Sequence, residues 1–259
     1  MIHPLAYIHP DAKLGTGVTV SQFSSVDADV VIGDGTWIAP NVTIMSGTRI
    51  GKNCRIFPGA VIGAIPQDLK FNGEASTVEI GDNCTIRECV TINRGTVDKM
   101  KTAVGNNCLL MAYVHLAHDC ILGNNIIIAN SVNLAGHVEI ADNAILEGLV
   151  AVQQFVKIGA HSFVTGSSLV RKNVPPFIKV AREPLQFVGV NTVGLRRRGF
   201  SDELIKQIED IYRILFVRGY NVSNAIEIIE QEIPESTDRD HILQFIRSSE
   251  DGIVRGISK

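Results

Sequence analysis

Two short stretches concentrate the side chains that could do chemistry. One is His115-Leu116-Ala117-His118-Asp119. The other, Gly136-His137, begins eighteen residues after His118, and Gln154 follows after eighteen more with Gln153 beside it. Histidine is the side chain best suited to general-base work near neutral pH. Asp119 is placed to orient His118 or to stabilise its charged form. A glycine at 136 leaves a backbone N–H open to a developing oxyanion. The same histidines allow a second chemistry, because His115-x-x-His118 with His137 has the composition of a three-histidine zinc site. The sequence holds no phosphate-cradling Gly-rich loop and no Gly-x-Ser-x-Gly elbow.

These residues act together only if the fold stacks them, and an internal repeat does so. From Ile2 to Val170 every sixth position forms a frame of 29 slots, and Ile, Leu or Val fills 26 of them. The other 141 positions of that stretch hold only 23 such residues, so the frame is neither a helix period nor a strand period. One aliphatic side chain in six must point into a narrow interior. The position four later is also small or apolar, as at Val18, Val42, Val90 and Val138. Three hexads close one triangular turn, giving a parallel β-helix whose turns stack at the sheet spacing of about 4.8 Å. Hexapeptide coils of this kind wind left-handed, against the usual crossover rule.

Residues eighteen apart therefore lie one above another. His118, Gly136 and Gln154 form one column, and Asp119, His137 and Phe155 the next. None takes an inward slot, so the polar cluster is expected on the outside of the coil, along one edge. The frame fails only at Asp68, Glu74 and Asp98. Both gaps are multiples of six, so loops near 63–79 and 93–103 are read as extruded from a continuous coil. Cys54, Cys84, Cys108 and Cys120 fall in the small interior slot and are expected as buried thiols.

After Val170 the frame stops at Pro175-Pro176 and Pro184. Residues 204, 208, 211 and 215 have helical spacing after Ser201, and Ser223 and Thr237 open two more helical candidates. The chain thus divides into an all-β solenoid over 1–190 and a small α-helical C-terminal domain over 191–259, which would cap the open end of the coil.

Composition sets the outer limits. The net charge of −3 excludes a strongly basic nucleic-acid binder. Residues 171–220 nevertheless hold ten Lys or Arg against five Asp or Glu, a local zone suited to an anionic ligand or acidic partner. No apolar run is long enough for a membrane span. The N-terminus lacks a signal-peptide layout, and five cysteines without a Cys-x-x-Cys pair point to reduced thiols in the cytoplasm.

Five motifs carry a resemblance. They are Ile65-Pro66-Gln67-Asp68-Leu69-Lys70; Ile86-Arg87-Glu88 with Thr91-Ile92-Asn93-Arg94-Gly95-Thr96; His115 to Cys120; Leu134-Ala135-Gly136-His137-Val138; and Gly189-Val190-Asn191 with Leu195 to Phe200. In this order, over essentially the whole chain, they resemble the UDP-N-acetylglucosamine O-acyltransferase family that opens lipid A synthesis. The resemblance implies a 3-hydroxyacyl chain moved from acyl carrier protein to the sugar 3-hydroxyl. It implies His118 as general base, Asp119 as its support and the Gly136 amide as oxyanion donor. Asp68 and Lys70 match positions contacting the acyl donor or sugar nucleotide. His115, His137, Gln154, Asn191, Arg197 and Arg198 match nucleotide-sugar and phosphate-binding positions. Gly166 matches a ruler position at the groove end, where glycine admits a long acyl chain. No cofactor is implied.

Two positions depart from the family's usual pattern: Gln153 for His, and Val193 for Glu. Both lie on the acceptor side, so a 3-amino sugar giving an amide stays open beside the 3-hydroxy sugar. Other readings are a later N-acyltransferase of the same pathway, which normally carries an extra N-terminal domain, a carbonic-anhydrase-like hydratase, and a non-catalytic solenoid. Hexapeptide carbonic anhydrases use a ligand pair more widely spaced than His115 and His118, and no metal is expected. A homotrimer is expected, because a polar edge has few walls of its own and cyclic symmetry would supply one from a neighbour.

Overall fold

The computed structural model describes residues 1–256, so the last three residues of the expected helical segment lie outside the described residues. Strands mostly of two to four residues follow one another around a left-handed triangular coil. Every third strand pairs in parallel with its predecessor one turn earlier, which builds three flat faces. The first face runs from Tyr7–Ile8 to Leu169–Val170 in nine strands. The second runs from Lys13–Leu14 to Lys157–Ile158 in eight. The third begins at Thr19–Val20 and ends with Ile178–Ala181 and the antiparallel Gln186–Val190, ten strands in all.

The register follows from the frame. His115 pairs with Asn133 and Leu116 with Leu134, each eighteen residues on. Apart from Asp68, Glu74 and Asp98, the sixth-position side chains from Val20 to Val170 fill the interior, and Ile44, Ile62, Ile92, Leu116 and Leu134 are fully buried. Each such side chain contributes about 1.5–3 kcal/mol of burial. All five cysteines are free; the four in the small inner slot are buried. Small residues are required where turns touch. A Cβ on Gly105 would lie 2.4 Å from the Gly123 carbonyl oxygen of the next turn.

The coil extends further than the frame. Val174 bridges to Ile158, and Val180 pairs with Val164 only sixteen residues away. Pro175-Pro176 therefore sit inside a shortened last turn and do not end the coil. Beyond Val190 come four helices: α1 (Thr192–Arg197), α2 (Asp202–Phe216), α3 (Val222–Glu232) and α4 (Thr237–Arg247). Ser201 caps α2 as its position suggests, whereas α3 is capped by Asn221 rather than opened by Ser223, and Ser236 caps α4. Helix α1 was not expected from the spacing. Tyr212 of α2 is fully buried and donates from its hydroxyl to the Pro176 carbonyl at 2.6 Å, tying the helices to the last turn.

Candidate active site

The three faces meet at three edges, and the chemistry collects on the one between the first and second faces. His118 lies in the corner between His115–Leu116 and Ile121–Leu122. Gly136-His137 lie in the corner one turn on, and Gln153-Gln154 in the corner after that. Both extruded loops leave from this same edge. Residues 65–76 join Val61–Ala64 to Thr77–Ile80, and residues 94–100 join Thr91–Asn93 to Lys101–Val104.

The 94–100 loop changes the expected environment of the cluster. Instead of lying open on the outside of the coil, His118 is 7% exposed and Asp119 is fully buried. The correction has a simple cause: the loop folds over the corner of the next turn. The Thr96 backbone N–H reaches both Asp119 oxygens, at 3.0 and 3.1 Å, and the Thr96 hydroxyl donates to Oδ2 at 2.6 Å. The Lys99 N–H donates to Oδ1 at 3.2 Å. His118 Nδ1 lies 2.8 Å from Asp119 Oδ2. Burial alone would raise the Asp119 pKa, but hydrogen bonds from Thr96, His118 and the Thr96 and Lys99 backbones outweigh it and hold the group below the usual carboxylate value. An ionised Asp119 must accept from Nδ1–H, which leaves the lone pair on Nε2.

The His118 ring lies against Gly136. A Cβ there would be 2.5 Å from Cε1 and 2.7 Å from Nε2, so the close approach needs glycine. Among the described residues the Gly136 N–H donates to no other group. The His137 ring meets His118 edge-on at 5.0 Å and stacks on Phe155 at 4.5 Å. His137 Nε2 is 3.8 Å from Asp119 Oδ2, and its Nδ1 is 3.0 Å from Asp98 without hydrogen-bond alignment. His115 is on the outward side of the first face, where Nδ1 meets the Thr91 hydroxyl at 2.7 Å. Burial lowers its pKa.

A metal reading changes with this geometry. Among the described residues, the groups whose ligand atoms come within 4.8 Å of one another are His118, Asp119 and His137, not His115, His118 and His137. Asp119 already accepts from two backbone N–H groups, the Thr96 hydroxyl and the His118 ring, which fills the roughly four acceptor sites of a carboxylate. That donor set suits an orienting carboxylate rather than a metal ligand.

The remaining expected residues are spread out. Gln154 is exposed one turn beyond His137, as the column requires. Asp68 accepts from the Lys70 backbone at 2.9 Å, and the Lys70 side chain is exposed on the first extruded loop. Gly166 lies at a different edge, between the third and first faces, where its N–H donates to Glu147 at 3.0 Å. Asn191 is at the edge between the second and third faces; it caps α1 through Gly194 and donates to the His161 carbonyl at 2.9 Å. Arg198 donates to the Gly194 and Asn143 carbonyls beside it, and burial lowers its pKa. Arg197 is exposed, with no polar partner among the described residues. The spacing thus brings together His118, Asp119, Gly136 and His137, and leaves Gly166, Asn191, Arg197 and Arg198 on other edges. Thr96, Asp98 and Lys99 were missed as partners of this site. The signal was available: the frame break at Asp98 puts that loop one turn before His118, on the same edge.

Comparison with known proteins follows the same lines. The family described as "Bacterial transferase hexapeptide (six repeats)" matches residues 29–64 and 101–136, and "Udp N-acetylglucosamine O-acyltransferase; Domain 2" matches 173–257. A curated acyl-[acyl-carrier-protein]--UDP-N-acetylglucosamine O-acyltransferase of a Sulfurihydrogenibium species is 50% identical over 259 residues, covering 100% of this chain and 96% of its own. The crystal structure of the UDP-N-acetylglucosamine acyltransferase of Bacteroides fragilis superposes with a TM-score of 0.97 at 52% identity, over 98% of this chain and 100% of that one. The Francisella novicida enzyme gives 0.95 at 42%, over 98% and 94%. Identity of about half and a superposable fold extend along nearly the whole length of such relatives, and on that ground this chain belongs to the UDP-N-acetylglucosamine O-acyltransferase family.

Proposed function

We propose that the chain moves a 3-hydroxyacyl group from acyl carrier protein to the 3-position of UDP-N-acetylglucosamine, the first step of lipid A biosynthesis, with His118 as general base. One observation carries the residue assignment. His118 is held through Nδ1 by an ionised, buried Asp119, and its Nε2 lies over a glycine with a free N–H. Nε2 takes the proton of the sugar 3-hydroxyl as that oxygen attacks the thioester carbonyl. The Gly136 N–H donates to the oxyanion of the tetrahedral intermediate. Collapse breaks the carbon–sulfur bond, and the departing thiolate of the carrier arm takes the proton from the His118 imidazolium and leaves as the thiol. Base and oxyanion donor are thus neighbours at one corner of the coil, as acyl transfer needs.

A single subunit does not complete this site. Of its expected positions, Asn191, Arg197, Arg198 and Gly166 lie on the two edges that bound the third face, away from His118. The outward side of that face carries the half-buried column Leu109, Ile127, Ile145 and Phe163. In a homotrimer this face of one subunit lies against the His118 edge of the next, and its apolar column lines the acyl groove. Asp68, Lys70, His115, His137 and Gln154 contact the donor or sugar from the His118 side, and Asn191, Arg197 and Arg198 bind the nucleotide from the neighbour. Glycine at 166 leaves the groove end open for a long chain. No described helix is long and apolar enough to cross a membrane, and five free thiols favour a cytoplasmic setting.

The test is an acyl-transfer assay with 3-hydroxyacyl carrier proteins of graded length, offered UDP-N-acetylglucosamine and its 3-amino analogue. Ester formation with the former supports the reading. Exclusive amide formation would accord with the departures at Gln153 and Val193 and reassign the acceptor. No transfer to either would overturn the function.

A further inference from the structure

We infer that the Thr96 hydroxyl is a positioning residue for the reaction, acting through Asp119 to fix the His118 base; this rests on the function proposed above. Nothing in the six-residue frame requires Thr96, which lies in an insertion between two regular strands. Yet Thr96 is buried, and both its hydroxyl and its backbone N–H are spent on one carboxylate twenty-three residues away. The 2.6 Å hydroxyl bond is the shortest contact Asp119 makes. It falls on Oδ2, the oxygen that also holds His118 Nδ1.

That choice of oxygen has two consequences. A donor on Oδ2 fixes the plane of the carboxylate and hence the ring it holds, so that Nε2 stays over Gly136. It also removes part of the negative charge seen by His118 and moderates the base strength of the imidazole. Other titratable groups around His118 are His137, with Asp98 beyond it, and the Lys99–Glu139 ion pair at the rim. None of them donates to Oδ2, so none replaces the hydroxyl.

The experiment compares Thr96→Val and Thr96→Ser with the wild-type protein in full pH profiles of kcat and KM. Thr96→Val keeps the side-chain shape and removes the donor. Its kcat should fall about ten- to hundredfold, as displaced catalytic groups do, with KM for the sugar nucleotide unchanged. The acidic limb of kcat should move to higher pH, because a carboxylate with one donor fewer holds the imidazolium more tightly. Thr96→Ser should restore both. If Thr96→Val does not fold, Thr96→Cys, a weaker donor, takes its place with the same readouts. A folded Val or Cys variant with wild-type kcat and pH profile would overturn the inference. So would a Ser variant as impaired as Val, since the methyl group would then be what matters. An inactive wild-type protein would instead sink the function itself.

Discussion

At the scale of the residue, the site is a base held from behind. His118→Ala removes the imidazole ring that lies against Gly136 and its free N–H, and turnover should fall about a hundredfold to ten-thousandfold. Because the ring is buried under the 94–100 loop and bonded to Asp119, the variant should also lose some thermal stability, measured by calorimetry beside the assay. Asp119→Ala should cost less turnover, but more stability, since it leaves the Thr96 and Lys99 donors without a partner in the interior. Near wild-type turnover in His118→Ala would mean another group takes the proton. A second histidine speaks to pH. His161 is pushed down to about 4 by burial and then by the Arg198 charge beside it. Its ring lies between Phe177 and Phe200. The unfolded chain binds a proton near pH 6.5 that the folded chain refuses until about pH 4. Stability should therefore be full above about pH 6.5 and decline as pH falls toward 4, with His115, lowered by burial, adding to the same window. Thermal melts of His161→Gln should show a shallower decline; an unchanged slope would remove His161 from the account.

At the scale of the element, the turn is the unit that the six-residue frame dictates, and the frame demands contact between turns. Gly105→Ala tests it: the new methyl meets the backbone of Gly123 at 2.4–2.6 Å, which cannot move aside without opening the stack. A loss of about 1–3 kcal/mol in denaturant unfolding is expected, as for overpacked cores. A neutral result would mean adjacent turns slide freely. The same frame explains what could be read in advance. Strand pairing, the inward Ile and Leu, the cysteine slots and the His118–Gly136–Gln154 column all follow from a period of six, because each turn repeats the environment of the last. The burial of His118 does not follow, since it depends on how an aperiodic loop lies down. Nor do the shortened last turn and the short helix α1, where two prolines and the Asn191 cap set local geometry that no period reports. Thr96 was hidden for the same reason: its partner is fixed by loop conformation, not by spacing.

At the scale of the whole molecule, a coil separates residues that a reaction must join. His118 stands on one edge, while Arg197 stands near the second-to-third edge, on the helix that Asn191 and Arg198 anchor to His161 and Asn143. A triangular prism cannot bend one edge onto another, so under the proposed function the two groups would meet only across a subunit boundary. Mixing makes the point measurable. His118→Ala subunits keep Arg197, and Arg197→Ala subunits keep His118; each homotrimer alone should be nearly inactive. In trimers assembled at random from equal amounts, a boundary has an intact His118 on one side and an intact Arg197 on the other in about a quarter of cases. Co-expressed variants should recover up to about that fraction of wild-type turnover, and a chain carrying both substitutions should recover none when mixed with either. Arg197 makes no polar contact among the described residues of its own subunit, so its loss should leave assembly untouched, which sedimentation can check. Activity that stays at the level of the separate variants would place both groups in one subunit's site, and a monomeric mass near 28 kDa in the same sedimentation runs would remove the boundary altogether.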